Sequence, residues 1–181
     1  MDATQTPTPS AIAADEKLTP VMFYTDHLVA RGMAVTKEAI RVNIWLRTQS
    51  APEFIHLKNC QVISFTGPGP VQPITFSDYF LPAGQVLAYH LLPPASDPLD
   101  YDETEKNRKM EPVMVLVGNF RFNAQMRMST QLNVGGNLDV SRIAFLSVYN
   151  AEISNPYIPS MGVIKAPMVL VRVSQATFGV K

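Results

Sequence analysis

The chain is poor in residues that point directly to a chemistry. Cys60 is the only cysteine in 181 residues, which excludes an intrachain disulfide and a cysteine-based metal cluster. Only 17% of the residues are charged, against roughly 25% in soluble domains generally. Fifteen basic residues balance fifteen acidic ones, so the positive excess expected of a generic nucleic-acid binder is absent. With so little charge to cover its surface, the chain is expected to associate with other copies or with a partner.

Long apolar runs and targeting signals are also missing. Residues 1–6 have neither a basic nor a long apolar region, so they do not resemble a secretory signal. No apolar run approaches the length that a membrane-spanning helix needs. We therefore expect a cytoplasmic protein with no membrane association.

The common catalytic and ligand-binding motifs are not found. His27, His56 and His90 lie 29 and 34 residues apart, which is not a metal-ligand spacing on one element. No serine lies in a nucleophile elbow, and no glycine-rich loop has the pattern that holds phosphate. The acidic residues from 97 to 105 lack the spacing of an EF-hand loop, and a solvated linker is the better interpretation. We predict no enzymatic activity, no metal and no cofactor.

What the sequence does contain is a series of short β-prone runs separated by turn residues, which predicts an all-β protein. Residues 120–129 give the clearest strand, because apolar and polar residues alternate along it. The polar side chains on one face are the candidate binding residues: Arg121, Asn123, Gln125 and Arg127. Two arginines on one face are suited to phosphates or carboxylates, although any exposed strand face carries similar residues.

Other segments are less regular. Gly32 predicts a bulge or kink in the second strand, and residues 37–46 fit either a strand or a short helix, of which we favour the helix. Residues 66–73 and 132–140 are predicted to be loops. The predicted organisation comprises four segments: a disordered tail (1–17), a first β module (18–92), a polar linker (93–111) and a second β module (112–181).

The two modules share an order of apolar runs. Pro20-Val21-Met22 matches Pro112-Val113-Met114 at a spacing of 92. Residues 54–59 match 145–150 at 91, and residues 80–86 match 170–176 at 90. A slowly shrinking spacing is typical of a duplication with single-residue deletions, although short apolar runs also match by chance. No charged residue recurs at matched positions, so the pattern indicates a conserved shape rather than a shared catalytic site.

Residues 21–35 followed by 54–63 resemble the first signature of Sm-like proteins. Residues 86–89 take the place of that family's last strands. The resemblance implies two strongly bent five-stranded barrels in tandem that associate edge to edge, with three chains forming a pseudo-six-membered ring. Asn43 is the candidate for the family's RNA-contacting asparagine. The family's Arg-Gly pair is replaced here by Gln85-Val86 and Gln175-Ala176, so the resemblance implies assembly more than RNA binding.

Two main hypotheses for function follow. The first is a non-enzymatic, self-assembling or scaffolding β-barrel protein that acts through protein–protein contacts, as a homo-oligomer or in a larger complex. The second is a single-stranded nucleic-acid-binding module that uses the Arg121 and Arg127 face, for which binding would weaken steeply with salt. Binding of a small molecule or lipid inside a barrel is a third possibility, supported only by apolar content.

Overall fold

Ten antiparallel strands form one sheet in the computed structural model, which describes residues 12–65 and 72–180. The first half contributes β1 (Glu16–Tyr24), β2 (Leu28–Lys37), β3 (Phe54–Ser64), β4 (Pro73–Pro82) and β5 (Ala88–Leu91). The second half contributes β6 (Arg108–Val117), β7 (Phe120–Ser129), β8 (Phe145–Ser154), β9 (Ile164–Arg172) and β10 (Ala176–Gly179). The predicted all-β class is confirmed.

Within the described ranges, helical structure is limited to short connections. A 3-10 helix (Val42–Arg47) joins β2 to β3, and α1 (Val134–Val140) joins β7 to β8. Single 3-10 turns, Ala83–Gln85 and Val173–Gln175, precede β5 and β10, and a third turn spans Pro159–Met161. The 3-10 helix Val42–Arg47 confirms the helix predicted within residues 37–46, although it begins later than expected.

The strand order is β10-β6-β7-β8-β9-β5-β1-β2-β3-β4. The first half contributes the order β5-β1-β2-β3-β4, and the second half contributes the matching order β10-β6-β7-β8-β9. The two halves meet where β9 pairs with β5. Among the described residues the sheet is open, with β10 and β4 as its edges, so strand pairing does not close either half into a barrel.

The pairing registers of the two halves correspond. Tyr24 pairs with Val29, and Leu116 pairs with Arg121, each 92 residues later. The register between the second and third strands shifts in both halves, once between Arg31 and Met33 and once between Asn123 and Gln125. The predicted bulge at Gly32 is therefore confirmed. A Cβ at Gly32 would lie 3.2 Å from the Cα of Cys60, so the bulge brings the two strands unusually close.

Two apolar clusters form the core, and each takes side chains from both halves. The first-half cluster includes Phe145 and Leu170, and the second-half cluster includes Tyr24 and Leu87. In β7 the apolar face is buried as predicted, with these residues at most 7% exposed: Phe120, Phe122, Ala124, Met126 and Met128. Because each cluster contains side chains from both halves, the two halves pack directly against each other.

Several predicted boundaries need correction. Residues 134–140 are helical rather than a loop, because the Asn133 Oδ1 accepts a hydrogen bond from the Gly136 N–H at 2.8 Å and caps the helix. Strand β6 begins at Arg108, inside the predicted linker, and β1 begins at Glu16, inside the predicted tail. The rest of that tail, residues 1–11, and residues 66–71 of the predicted loop lie outside the described residues.

Candidate assembly interface

The junction between β9 and β5 shows how one half of this protein binds the other. Val171 pairs with Ala88, and Leu170 pairs with Tyr89. Phe145, at the start of β8, is 2% exposed, and Leu170 is fully buried. The Phe145 ring packs edge-on against Tyr89, with 6.2 Å between ring centroids. Two side chains from the second half thus complete the core of the first.

Arg172 holds the end of this junction together. Its backbone N–H donates to the Leu87 carbonyl at 2.7 Å, and its guanidinium donates to the carbonyls of Val86 at 2.7 Å and Ala83 at 2.8 Å. The guanidinium also lies 4.6 Å from the centre of the Phe145 ring. Burial lowers the pKa of Arg172. Charge-assisted hydrogen bonds to backbone carbonyls are among the stronger contacts available to a protein.

A buried polar cluster ties the same junction to the segment between β5 and β6. Asp100 accepts hydrogen bonds from Arg47 at 2.7 Å, Ser147 at 2.6 Å and the Tyr149 hydroxyl at 2.7 Å. Burial alone would raise the pKa of Asp100, but the hydrogen bonds from Ser147, Tyr149 and Arg47 and the charge of Arg47 outweigh it and leave this pKa lowered. Arg47 also donates to Ser147 at 2.6 Å, so the 3-10 helix of the first half is bonded to β8 of the second.

At the β4 edge, the residues that match the junction side chains are exposed. Phe54 corresponds to Phe145 and Phe80 corresponds to Leu170, yet Phe54 is 52% exposed and Phe80 is 58% exposed. The His56 ring stacks on Phe80 with 4.6 Å between centroids. We call the surface formed by β4, Phe54 and His56 the β4 edge. Its exposed aromatic side chains occupy positions that, at the junction between β9 and β5, are covered by the other half.

The opposite end of the sheet is β10, and we call this strand together with α1 the β10 edge. Phe178 pairs with Val115 of β6 and packs partly buried against the second-half core. Tyr89 pairs with Phe23, and Phe178 pairs with Val115, which lies 92 residues after Phe23. Phe178 is therefore the counterpart of Tyr89. Leu138 of α1 packs against the same core, while Val140 is 65% exposed. The β10 edge therefore offers the counterpart of the surface that β5 presents to β9.

The four predicted binding residues are not brought together as one open face. Arg127 forms an ion pair with Glu105 at 2.6 Å and lies 4.6 Å from the centre of the Tyr101 ring. Gln125 accepts a hydrogen bond from Asn150 at 3.0 Å. Arg121 and Asn123 are exposed. Because Arg127 is directed toward the segment before β6, a clamp formed by Arg121 and Arg127 has no direct support, and nucleic-acid binding stays a prediction.

Most of the remaining polar candidates are bonded to neighbours or buried. Asn43, proposed from the resemblance as an RNA contact, is 7% exposed and donates to the Pro98 carbonyl at 2.8 Å. His90 is 3% exposed and bonds to Tyr24 at 3.0 Å, and burial lowers its pKa. His27 is exposed. Cys60 is buried, as predicted, and burial raises its pKa to about 11. In the described ranges no three metal-ligating side chains cluster around one point.

Sequence reasoning missed the residues that distinguish the two ends of the sheet. Phe54 and Phe80 have the apolar character of core residues, and Arg172 has no local motif. The matched spacing does pair Phe54 with Phe145, but exposure depends on whether another half covers the position. That information lies in the strand order rather than in any single segment.

The arrangement defines a class of protein: an antiparallel β protein with an open ten-stranded sheet, two halves of the same pairing order and two unlike edges. Comparisons with protein-family models, with curated proteins and with solved structures found no match. Across the described residues, no helix has both the length and the apolar character to cross a membrane.

Proposed function

We propose that this protein is a non-enzymatic, self-assembling β protein in which the β4 edge of one copy pairs with the β10 edge of the next. The observation that carries the proposal is the exposure of Phe54 and Phe80 at the positions where Phe145 and Leu170 are buried. The contact between copies would repeat, between chains, the contact that β9 and β5 make within one chain. The halves are then two copies of one module.

The matched registers specify the expected pairing between copies. Within one chain, Leu170 pairs with Tyr89 and Val171 pairs with Ala88. Between copies, we expect the corresponding pairs to be Phe80 with Phe178 and Leu81 with Thr177. Because the two edges differ, the contact is heterologous and produces a closed ring or an open filament. The resemblance to Sm-like proteins favours a ring, for which three chains would supply six modules.

The energy scale indicates that the contact must involve more than two aromatic side chains. Complete burial of an exposed phenylalanine contributes roughly 1.5–3 kcal/mol, and Phe54 and Phe80, at 52% and 58% exposed, would each contribute about half of that. Association costs an estimated 4–15 kcal/mol in lost translational and rotational freedom. Backbone hydrogen bonds between β4 and β10, as in strand addition, and further side-chain contacts are needed to offset that cost. We therefore expect assembly that depends on concentration in the micromolar range.

A serine at Phe80 tests the proposal. Phe80→Ser removes an exposed aromatic side chain from the β4 edge, so it should shift the protein from oligomer toward single chains without unfolding it. Sedimentation velocity and native mass spectrometry at micromolar concentration measure this shift. Tyr157→Ser is the matched control, because Tyr157 is 74% exposed and lies outside the edge strands.

Two outcomes would overturn the proposal. One is a wild-type chain that stays a single copy at micromolar concentration and recovers no partner on pulldown. The other is an oligomer that Phe80→Ser leaves intact, because the β4 edge would then be outside the contact. The same native mass spectra reveal any nucleic acid that co-purifies, which is what the second hypothesis predicts.

A further inference from the structure

A cleft opens beside the junction between the two halves, between strand β9 and the segment that follows β5. Its volume is about 280 Å³, close to the lower end, roughly 300 Å³, of the range for small-molecule sites in proteins. Most of its wall is apolar and is formed by Leu91, Pro93, Pro94, Leu99, Pro167 and Met168. Strands β9 and β5 lie in the middle of the strand order, so the cleft lies away from both edges of the sheet.

The 3-10 helix of the first half holds one wall of the cleft in place. The Asn43 N–H donates to the Asp97 Oδ2 at 3.1 Å. The Asn43 side-chain amide donates to the Pro98 carbonyl at 2.8 Å, and the Arg41 guanidinium donates to the same carbonyl at 2.7 Å. Residues 97 and 98 are thus fixed by three hydrogen bonds. A wall that is already ordered lowers the entropy cost of binding a ligand.

Two of the residues that line the cleft have an oxygen acceptor without a donor. Asn43 is 7% exposed, and its Oδ1 is buried with no hydrogen-bond partner among the described residues. Asp97 is half-buried, and across residues 12–65 and 72–180 its Oδ1 has neither a hydrogen bond nor an ion pair. Because Asn43 donates to Asp97, both side chains lie on the same part of the wall. Acceptors without donors favour a ligand that donates hydrogen bonds.

The cations near the cleft are already engaged with other groups. Lys165 lines the cleft but pairs with Glu152 at 3.1 Å, and its side chain is 78% exposed. Arg41 is exposed and donates to the Pro98 carbonyl. Within the described ranges, neither cation forms an ion pair with Asp97. The Asp97 carboxylate is therefore open to a cationic group from a ligand.

We infer that this cleft binds a small primary amine with an apolar body of about one ring. An ammonium group has three donors and no acceptor, which suits the oxygens of Asp97 and Asn43. The apolar body packs against Leu91 and Met168. The site lies within one chain, so it goes beyond the proposed assembly and does not depend on it.

Three probes with the same ring and different head groups test the inference on the full chain. They are phenethylamine, phenethyl alcohol and hydrocinnamate, which are cationic, neutral and anionic at neutral pH. Phenethylamine should bind with a dissociation constant in roughly the millimolar range, as expected for so small a ligand. It should bind about fivefold or more tighter than the alcohol, because its hydrogen bonds are charge-assisted. Amide NMR titrations measure all three affinities, and the Asn43 amide signal should shift because that N–H bonds to Asp97.

Two variants separate the head group from the apolar body. Asp97→Asn should weaken phenethylamine about five- to tenfold, to the level of the alcohol. It keeps a side-chain oxygen for the Asn43 N–H, so the wall should stay in place. Ala95→Trp places a large ring at a lining position and should weaken the amine and the alcohol alike. Asp26→Asn, in the exposed turn between β1 and β2, is the matched control and should bind like the wild type.

Four results would overturn the inference. They are a phenethylamine titration without saturable shifts at millimolar concentration, an amine affinity no higher than that of the alcohol or of hydrocinnamate, saturable shifts that leave the Asn43 amide unmoved, and amine binding unchanged in both Asp97→Asn and Ala95→Trp. Circular dichroism confirms that each variant is folded. If Asp97→Asn fails to fold, the wild-type comparison of the three probes and Ala95→Trp still decide the outcome.

Discussion

At the scale of a residue, two asparagines show that the two halves share an unusual backbone conformation. Asn59 and Asn150 have φ angles of 49° and 50°, in the left-handed region that few non-glycine residues adopt. Each lies on the third strand of its half, beside the register shift with the second strand. Both are exposed, so the asparagine is needed for backbone conformation rather than for burial.

Substitutions at Asn59 test this interpretation. Asn59→Val should lower the free energy of unfolding by about 1–3 kcal/mol, because a β-branched residue is strained at a positive φ. Asn59→Gly should stay within about 0.5 kcal/mol of the wild type, since glycine adopts this region freely. Urea denaturation midpoints measure both changes. Asn123→Val, at an exposed strand position, is the control and should cost little. Equal losses from Val and Gly at Asn59 would contradict a backbone role.

At the scale of an element, the segment between β5 and β6 differs from the solvated linker that its acidic residues suggested. Asp97 accepts a hydrogen bond from the Asn43 N–H at 3.1 Å, and Glu105 pairs with Arg127. Asp100 is bound by three side chains, and its own side chain is 9% exposed. Asp97, Asp100 and Glu105 therefore fasten this segment to both halves of the sheet, while residues 102–108 stay exposed to water.

Asp100 should make stability depend on pH. Its folded pKa lies below its ordinary value of 3.8, so its contribution is complete above that pH and is lost as the pH falls through the folded pKa. We expect Asp100→Asn to lower the free energy of unfolding by roughly 3 kcal/mol at neutral pH, because it breaks a buried ion pair. The difference from the wild type should shrink below pH 3.8.

Chemical denaturation of both proteins between pH 7 and about pH 3 measures this difference directly. Other carboxylates titrate in the same range, so the comparison between the two proteins matters rather than either curve alone. Asp26→Asn, in an exposed turn, should change stability by less than about 0.5 kcal/mol. A difference between wild type and Asp100→Asn that stays constant with pH would show that the Asp100 charge is not what stabilises the cluster.

The sequence predicts strands best where one face is buried and the other exposed. β7 matches its expected bounds because its burial alternates strictly. The sequence does not predict the helix α1, because Gly135 and Gly136 are poor helix formers, although the Asn133 side chain caps it. The candidate site was predicted less well. Phe54 differs from Phe145 in that no other half covers it, which is a property of strand order and not of local pattern.

At the scale of the whole molecule, the registers allow a covalent test of how copies pair. With cysteines at Phe80 and Phe178 in a Cys60→Ala chain, a disulfide should form between copies, because directly paired strand residues lie within bonding range. It should not form within one chain, since the two positions lie on opposite edges of the sheet. Non-reducing gel electrophoresis after mild oxidation measures the product.

Cysteines at Tyr157 and Phe178 in the same chain are the control, because Tyr157 lies outside the edge strands. Cross-linked chains at a similar yield in both variants would indicate random collision rather than the proposed register. Replacing Cys60 with alanine is a conservative background, since alanine occupies the matched position 151 in the second half.

The contacts of Arg172 should make the junction between the two halves of one chain stronger than the proposed contact between copies. The matched position at the β4 edge is Pro82, which has neither a backbone N–H nor a guanidinium. A contact between copies would therefore lack three hydrogen bonds that hold the two halves of one chain together. Upon dilution such an assembly would come apart between chains while each chain kept its halves paired. The exchangeable building block would then be the pair of modules, and its asymmetry would give every such assembly a direction.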